Sequence, residues 1–310
     1  MSAVAGGLAY FIPAAQLAIE STGKVLQVTP SPSMLFSPSP SSSAAATVAP
    51  ISGAFTVLLL GSDDDSKFIG DHVLTQSMIL VRVVPSTKQV TMLSIPRDLY
   101  VHLSTGGSAK IDGAYSYGGP GAAVATVEQD FNVHIDDFIW IGLLGLVKLI
   151  DAIGGIDVVT SNPVFDDYYP ADIYSNWPYD YERVAVFAGP QHLDGLHAMQ
   201  YVRSRHGDLQ SDIGRSQRQQ QVLIAIRQKA RQLSPEDLPA LSAALGGELK
   251  TSMGLGKVAQ LLPLASSFDN PDSINQIILA NPYTHGCGCP ETYLTANWGL
   301  ILPLVHQYFP

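Results

Sequence analysis

Positive charge and cysteine are both scarce in this chain. Across 310 residues, 17 lysines and arginines face 27 aspartates and glutamates, for a formal net charge of -10. That balance repels a long polyanion, and no helix-turn-helix signal is present, so a nucleic-acid partner and a role in transcription are not expected. The two cysteines, Cys287 and Cys289 in Gly-Cys-Gly-Cys-Pro, are too few and too close for a zinc site without other ligands, and His285 beside them reads as a loop residue. In an oxidising compartment the pair can close a small, strained disulfide. No internal repeat is evident. An uncharged apolar run covers residues 3–19, but at ~1.5 Å per residue it reaches only about 26 Å as a helix. Pro13 interrupts it and no basic residues precede it. A start assigned too far downstream accounts for all three defects. Residues 1–28 are therefore expected to be a membrane anchor, with a cleaved signal or a soluble apolar tail as alternatives.

Hydrophobic residues make up 46% of the chain, enough for a sizeable core. Residues 29–50 are rich in Ser, Pro and Ala and read as an extended linker that holds a domain, residues 51–310, away from a bilayer. Phe55 to Gly61 is a continuous apolar run ending in glycine, which predicts a strand buried on both faces. Ser77 to Val84 and Gln89 to Ile95 predict an antiparallel hairpin across Pro85 to Lys88. Helices are expected at Gly121 to Gln129, Leu143 to Ile153, Asp194 to Tyr201, Arg215 to Leu233, Pro235 to Leu245 and Leu255 to Ser266. Further strands are expected at Phe138 to Ile141, Ile156 to Thr160 and Ile274 to Leu279. The alternation predicts an α/β layered domain with a mixed sheet. Residues 161–190, rich in Tyr, Asp and Pro without clear period, read as a long surface loop with a functional role.

Against the acidic background, Arg203, Arg205, Arg215, Arg218, Arg227, Lys229 and Arg231 place seven of the 17 basic residues in one short segment. The last three read as a solvated helix face. Arg215 and Arg218 stand near a predicted helix start that already carries partial positive charge, an awkward arrangement unless an anion joins them. The guanidinium fork matches phosphate bidentately, so a small phosphate-bearing ligand is expected. Two predicted strand ends supply further candidates. Asp63 follows Leu-Leu-Leu-Gly-Ser and can hold Mg²⁺, which favours one or two carboxylates with phosphate oxygens and water. Arg97 and Asp98 follow Ser-Ile-Pro, the first to clamp phosphate and the second to orient it or act as a base. Lys110 adds a charge before the Gly118 to Gly121 turn.

At these residues the chain resembles the LytR-CpsA-Psr family of bacterial cell-envelope enzymes. LLLGSD, TMLSIPRDLYV, KIDGAYSYGGPGAAVATVEQ, LVKLIDAIGGIDV, QHLDGLHAMQYVRSRHGD and DIGRSQRQQQ are similar, in order, to its motifs, most strongly over residues 54–232. The resemblance implies a layered α/β/α fold with a hydrophobic lipid-binding tunnel, to which the apolar segments around Phe138 to Ile153 would contribute. It implies a domain on the extracytoplasmic side of the cell membrane, anchored by a single pass. It also implies transfer of a phosphoglycan from a polyprenyl-pyrophosphate carrier to peptidoglycan or another wall polymer, with release of polyprenyl phosphate. Carried over by motif, Asp63 would be a magnesium ligand, and Arg97, Lys110, Arg203, Arg205, Arg215 and Arg218 would surround the pyrophosphate. Gln219 would contact phosphate, and Asp212 would position Arg215 or the acceptor. Asp63, Arg97, Asp98 and Arg218 would carry the chemistry, with Asp63 or Asp98 as base.

One departure stands out. Where the family usually has Arg-Ser-Asp-Thr, this chain has Leu74-Thr75-Gln76-Ser77, so a neutral amide at Gln76 replaces an expected metal-binding aspartate. Either magnesium is held more weakly and activity falls, or the ion is held mainly by Asp63 and the pyrophosphate; Asp71 is a nearby acid that could substitute. Two other readings stay open: a non-catalytic polyprenyl-phosphate-binding protein, and a lipid pyrophosphatase that uses water as acceptor.

Overall fold

The computed structural model describes residues 51–62, 73–171, 180–204, 211–230, 248–253, 273–288 and 292–310, with Leu245 and Lys257. The predicted anchor and linker (1–50), Asp63 to Asp65, Asp71, Arg205 and most of the two helices expected after residue 234 lie outside them. No helix among the described residues is long and apolar enough to cross a membrane.

Strand β1 (Phe55–Ser62) is apolar on both faces because it lies inside a six-stranded sheet covered on both sides. It pairs antiparallel with β2 (Thr75–Val84), which turns through residues 85–88 into antiparallel β3 (Gln89–Ile95). A short ribbon, β4 (Tyr100–His102) and β5 (Ser108–Lys110), leads through a 3-10 turn at Ile111–Gly113 into α1 (Ala114–Phe131). Helix α1 is broken at Gly118 and Gly119, the latter at φ 66°, a left-handed backbone that favours glycine, and Pro120 opens the longer part. Strand β6 (Asp137–Gly142) then runs parallel to β1, and α2 (Leu143–Ala152) follows directly.

Beyond α2 come β7 (Ile156–Thr160), β8 (Val164–Pro170), β9 (Tyr181–Val186) and β10 (Gly189–Leu193). They form two antiparallel pairs, β7 with β10 and β8 with β9. Where it is described, the expected long loop at 161–190 is therefore mostly strand, with residues 172–179 outside the described part. Alternation is the reason: Val164, Asp166, Val184 and Val186 point inward while Phe165, Ala185 and Phe187 face water. Next are α3 (Gly195–Arg203), capped by Asp194, and α4 (Ser211–Ala230). The chain closes with β11 (Leu249–Thr251), β12 (Ile274–Ile278), the β13 (Thr284–Gly286) and β14 (Leu294–Ala296) hairpin, and α5 (Trp298–Tyr308). Cys287, beside β13, is disulfide-bonded; Cys289 lies outside the described residues.

The sheet order is β11-β6-β1-β2-β3-β12, with β1–β6 and β3–β12 parallel and the other pairs antiparallel, a mixed sheet as expected. Leu58, Leu60, Leu80 and Leu93 pack with α1 and α5 on one face. Val57, Leu59, Ile79 and Val81 face the opposite way, where Leu223 and Ile224 of α4 pack on them. A separate cluster joins α2, α3 and α4 to strands β7 to β9. Helices thus cover both faces, the layered α/β/α arrangement.

Candidate functional site

On the α4 side of the sheet, a cavity of about 420 Å³ lies between β1, β2, β6, β8 and helices α2, α3 and α4. Its apolar walls follow from simple periodicities. Leu59 and its cross-strand neighbours Ile79 and Ile139 share one face of the pleat. Leu143, Leu146 and Leu149 form one stripe of α2. Helix α4 contributes Arg215, Gln219, Val222, Leu223 and Ile226, again one stripe, which passes from polar to apolar along the helix. The apolar stretch Phe138 to Ile153 does line the cavity, through Ile139, Ile141 and the three leucines.

The polar end lies where β1 ends, β2 begins and β3 ends. Two β-bulges shape it. Gly61 pairs with Ser77 but Ser62 pairs with Thr75, so Gln76 is an extra residue in the ladder. The kink lets both Gln76 and Ser77 line the cavity, although regular alternation would turn one of them away. In β8, Asp166 pairs with Val184 and Tyr169 with Glu182, again one residue too many. Asp166 and Tyr169, three apart, both turn inward and line the cavity, while Tyr168 is exposed.

Three arginines reach this end from three elements. Arg97 follows β3, Arg203 closes α3 and Arg215 lies near the start of α4. Arg97 donates through Nη1 to the amide oxygen of Gln76. The guanidinium of Arg203 lies 5.8 Å from the centre of the Tyr169 ring. Ser77 Oγ donates to Gln219 Oε1 at 3.0 Å, which ties β2 to α4, and Gln220 Nε2 donates to Ser94 Oγ at 2.8 Å on the neighbouring strand. The helix that carries Arg215 is thereby fixed to the sheet. Three cations line an otherwise mainly apolar cavity, which suits a ligand with an anionic head and a hydrocarbon tail.

Of the expected site residues, Gln76, Arg97, Arg203, Arg215 and Gln219 are brought together here. Arg218 is not among the lining residues. It is buried and donates to the backbone carbonyls of Tyr201 and Ser204 at 2.6 Å each, so it braces the end of α3. Asp98 and Lys110 stand beside the site, paired at 2.7 Å, with Asp98 also 3.5 Å from Arg97 Nε. Asp63 and Arg205 lie outside the described residues, as does the side chain of Asp212.

The sequence reading passed over three residues near the site. Asp166 and Tyr169 fell in the supposed loop, and their acidic and aromatic composition was the available signal. Asp112, buried behind Arg97, Asp98 and Lys110, is pushed up to about 6 by burial, against the pull of Arg97 and Lys110. Among the described residues no group of three His, Cys, Asp or Glu side chains is placed to hold a metal.

The model of the family described as LytR_cpsA_psr matches residues 20–294. The polyisoprenyl-teichoic acid–peptidoglycan teichoic acid transferase TagU of Oceanobacillus iheyensis is 33% identical over 216 residues, which cover 67% of this chain and 62% of that protein. The chain thus spans less than two thirds of that relative's length. The crystal structure of Bacillus subtilis TagV superposes with a TM-score of 0.67 at 26% identity, covering 84% of this chain and 96% of TagV. A structure of TagT bound to LIIa-WTA gives a TM-score of 0.64 at 28% identity, covering 83% and 89%.

Proposed function

The chain belongs to the LytR-CpsA-Psr family, and from that membership we infer a phosphotransferase that moves a phosphoglycan from a polyprenyl-pyrophosphate carrier to peptidoglycan or another wall polymer. The observation that carries this reading is the apolar cavity with three arginines at one end. An isoprenoid tail, uncharged and long, fits among Leu59, Ile139, Leu146 and Ile226. The pyrophosphate then meets Arg97, Arg203 and Arg215, with Gln219 and Ser77 as polar neighbours. The names of relatives such as TagU support the substrate class.

The reaction is attack by an acceptor hydroxyl on the glycan-side phosphorus. Polyprenyl phosphate departs. Negative charge grows on the bridging and leaving oxygens, and fixed guanidinium groups neutralise it without reorganising. Arg97 is held for this by the Gln76 amide, and Arg203 by the Tyr169 ring. Magnesium, where present, would add a Lewis acid beside the pyrophosphate. The described donors do not build a site for it. A guanidinium can only donate, so the Gln76 oxygen is turned to Arg97, and the charged lining residues are three arginines and one aspartate. Gln76, whose oxygen already accepts from Arg97, is a poor metal ligand in this arrangement. Asp63 lies outside the described residues.

A domain of this function works on the outer side of the cell membrane, where its lipid and wall substrates meet. The uncharged run at residues 3–19 supports an anchor there. The reading is tested by incubating the purified chain with a polyprenyl-pyrophosphate-linked sugar, with and without peptidoglycan fragments. Release of polyprenyl phosphate that requires the acceptor, with the phosphosugar on the wall fragment, is the expected result. Release without acceptor would make it a hydrolase, and binding without release a carrier.

A further inference from the structure

We propose that Asp166 is the catalytic base of this site, the group that takes the proton from the acceptor hydroxyl as it attacks. The assignment rests on the transferase reading above and follows from where the carboxylates are. Among the described cavity-lining residues Asp166 is the sole acid. Neither Asp98 nor Asp112 lines the cavity.

The placement of Asp166 requires a specific irregularity. It is 2% exposed on a strand whose flanking residues Phe165 and Asp167 face solvent. The extra residue in β8 turns Tyr169 inward as well, so one short stretch supplies both the carboxylate and the aromatic ring beneath Arg203. The backbone N–H of Tyr168 donates to Asp166 Oδ1 at 3.1 Å, which fixes the carboxylate's orientation. Asp166 shares a cavity with Arg97, Arg203 and Arg215, the groups that would hold the scissile phosphates.

The step balances without a further reactant. The acceptor oxygen forms its bond to the glycan-side phosphorus while its proton passes to Asp166. The bond from that phosphorus to the bridging oxygen breaks, and the oxygen leaves with the electron pair as polyprenyl phosphate. The proton on Asp166 is lost to solvent once the products depart. A positioned base of this kind contributes at least ~100-fold to rate.

The test uses the full chain and its Asp166→Asn, Asp166→Glu and Asp166→Ala variants. Transfer is followed as acceptor-dependent release of polyprenyl phosphate, and binding by titration with undecaprenyl phosphate in detergent micelles. The expected result is a kcat about 100-fold lower for Asp166→Asn, with undecaprenyl phosphate affinity unchanged. Partial activity is expected in Asp166→Glu, and added formate should raise the rate of Asp166→Ala by replacing the missing carboxylate. Transfer by Asp166→Asn at the parent's rate would overturn the assignment alone. So would a lost rate matched by lost binding and no response to formate, because Asp166 would then only hold the arginines. A parent that binds undecaprenyl phosphate yet transfers nothing would overturn the transferase reading, and the base with it.

Discussion

Arg215 and Arg218, one turn apart on α4, end in different environments. Arg215 lines the cavity, whereas Arg218 donates to the carbonyls of Tyr201 and Ser204 and secures the end of α3. Arg218→Ala leaves two carbonyls without their charged donor, and the expected cost is about 3 kcal/mol in urea unfolding. Arg203→Ala, a change at the cavity, should leave stability within about 1 kcal/mol and weaken undecaprenyl phosphate binding about tenfold, or ~1.4 kcal/mol. In the sequence Arg215 and Arg218 look alike. Their sorting depends on where α3 docks, a tertiary fact that helical spacing alone does not carry. Asp112 yields a pH prediction at the same scale. Its folded value of about 6 lies above the ordinary 3.8, chiefly through burial. Between pH 4 and 6 the folded chain therefore holds a proton that the unfolded chain has lost, and this residue's contribution becomes less favourable as pH rises through that window. Asp112→Asn should be more stable than the parent by about 2–3 kcal/mol at pH 7. The difference should vanish by pH 4 in melts taken across the range.

At the scale of elements, α3 begins against α2 at a place where a side chain has no room. A Cβ on Gly195 would lie 2.1 Å from the Val147 carbonyl oxygen, and the Gly195 N–H donates to Asp151 at 2.7 Å. Gly195→Ala must push the two helices apart. It is expected to cost about 3 kcal/mol or more, read as a lowered Tm, and to weaken lipid binding because α2 and α3 both wall the cavity. Regular elements were legible from pattern alone: β1 by its continuous apolar run, β2 and β3 as a hairpin about the turn at residues 85–88, β6 as a short strand, α2 and α4 by their stripes. The β8–β9 pair was not. Its bulge places the inward residues Asp166 and Tyr169 three apart, a spacing that mimics neither clean alternation nor a helix, and its inward positions include a carboxylate. The functional residue and the break in pattern are the same feature.

For the whole molecule, the sheet and three helices build the apolar chamber, while strand ends and helix ends supply its polar groups. The position of the site at the carboxyl ends of β1 and β3 was legible from the strand order, because Arg97 follows a buried strand directly. Arg203 and Arg215 were legible as one basic cluster, but the convergence of Arg97 with them was legible only through family motifs, since it lies on an element far from theirs in sequence. Their joint effect makes charge at the head of the ligand decisive. The most direct test is a paired titration of the purified full chain with undecaprenyl phosphate and with undecaprenol, which share the tail and differ in the anionic head. The account predicts that the phosphate binds at least about 100-fold more tightly, roughly 2.7 kcal/mol, and that Arg203→Ala narrows the gap. Equal affinity for the two lipids, unchanged by that substitution, would contradict it.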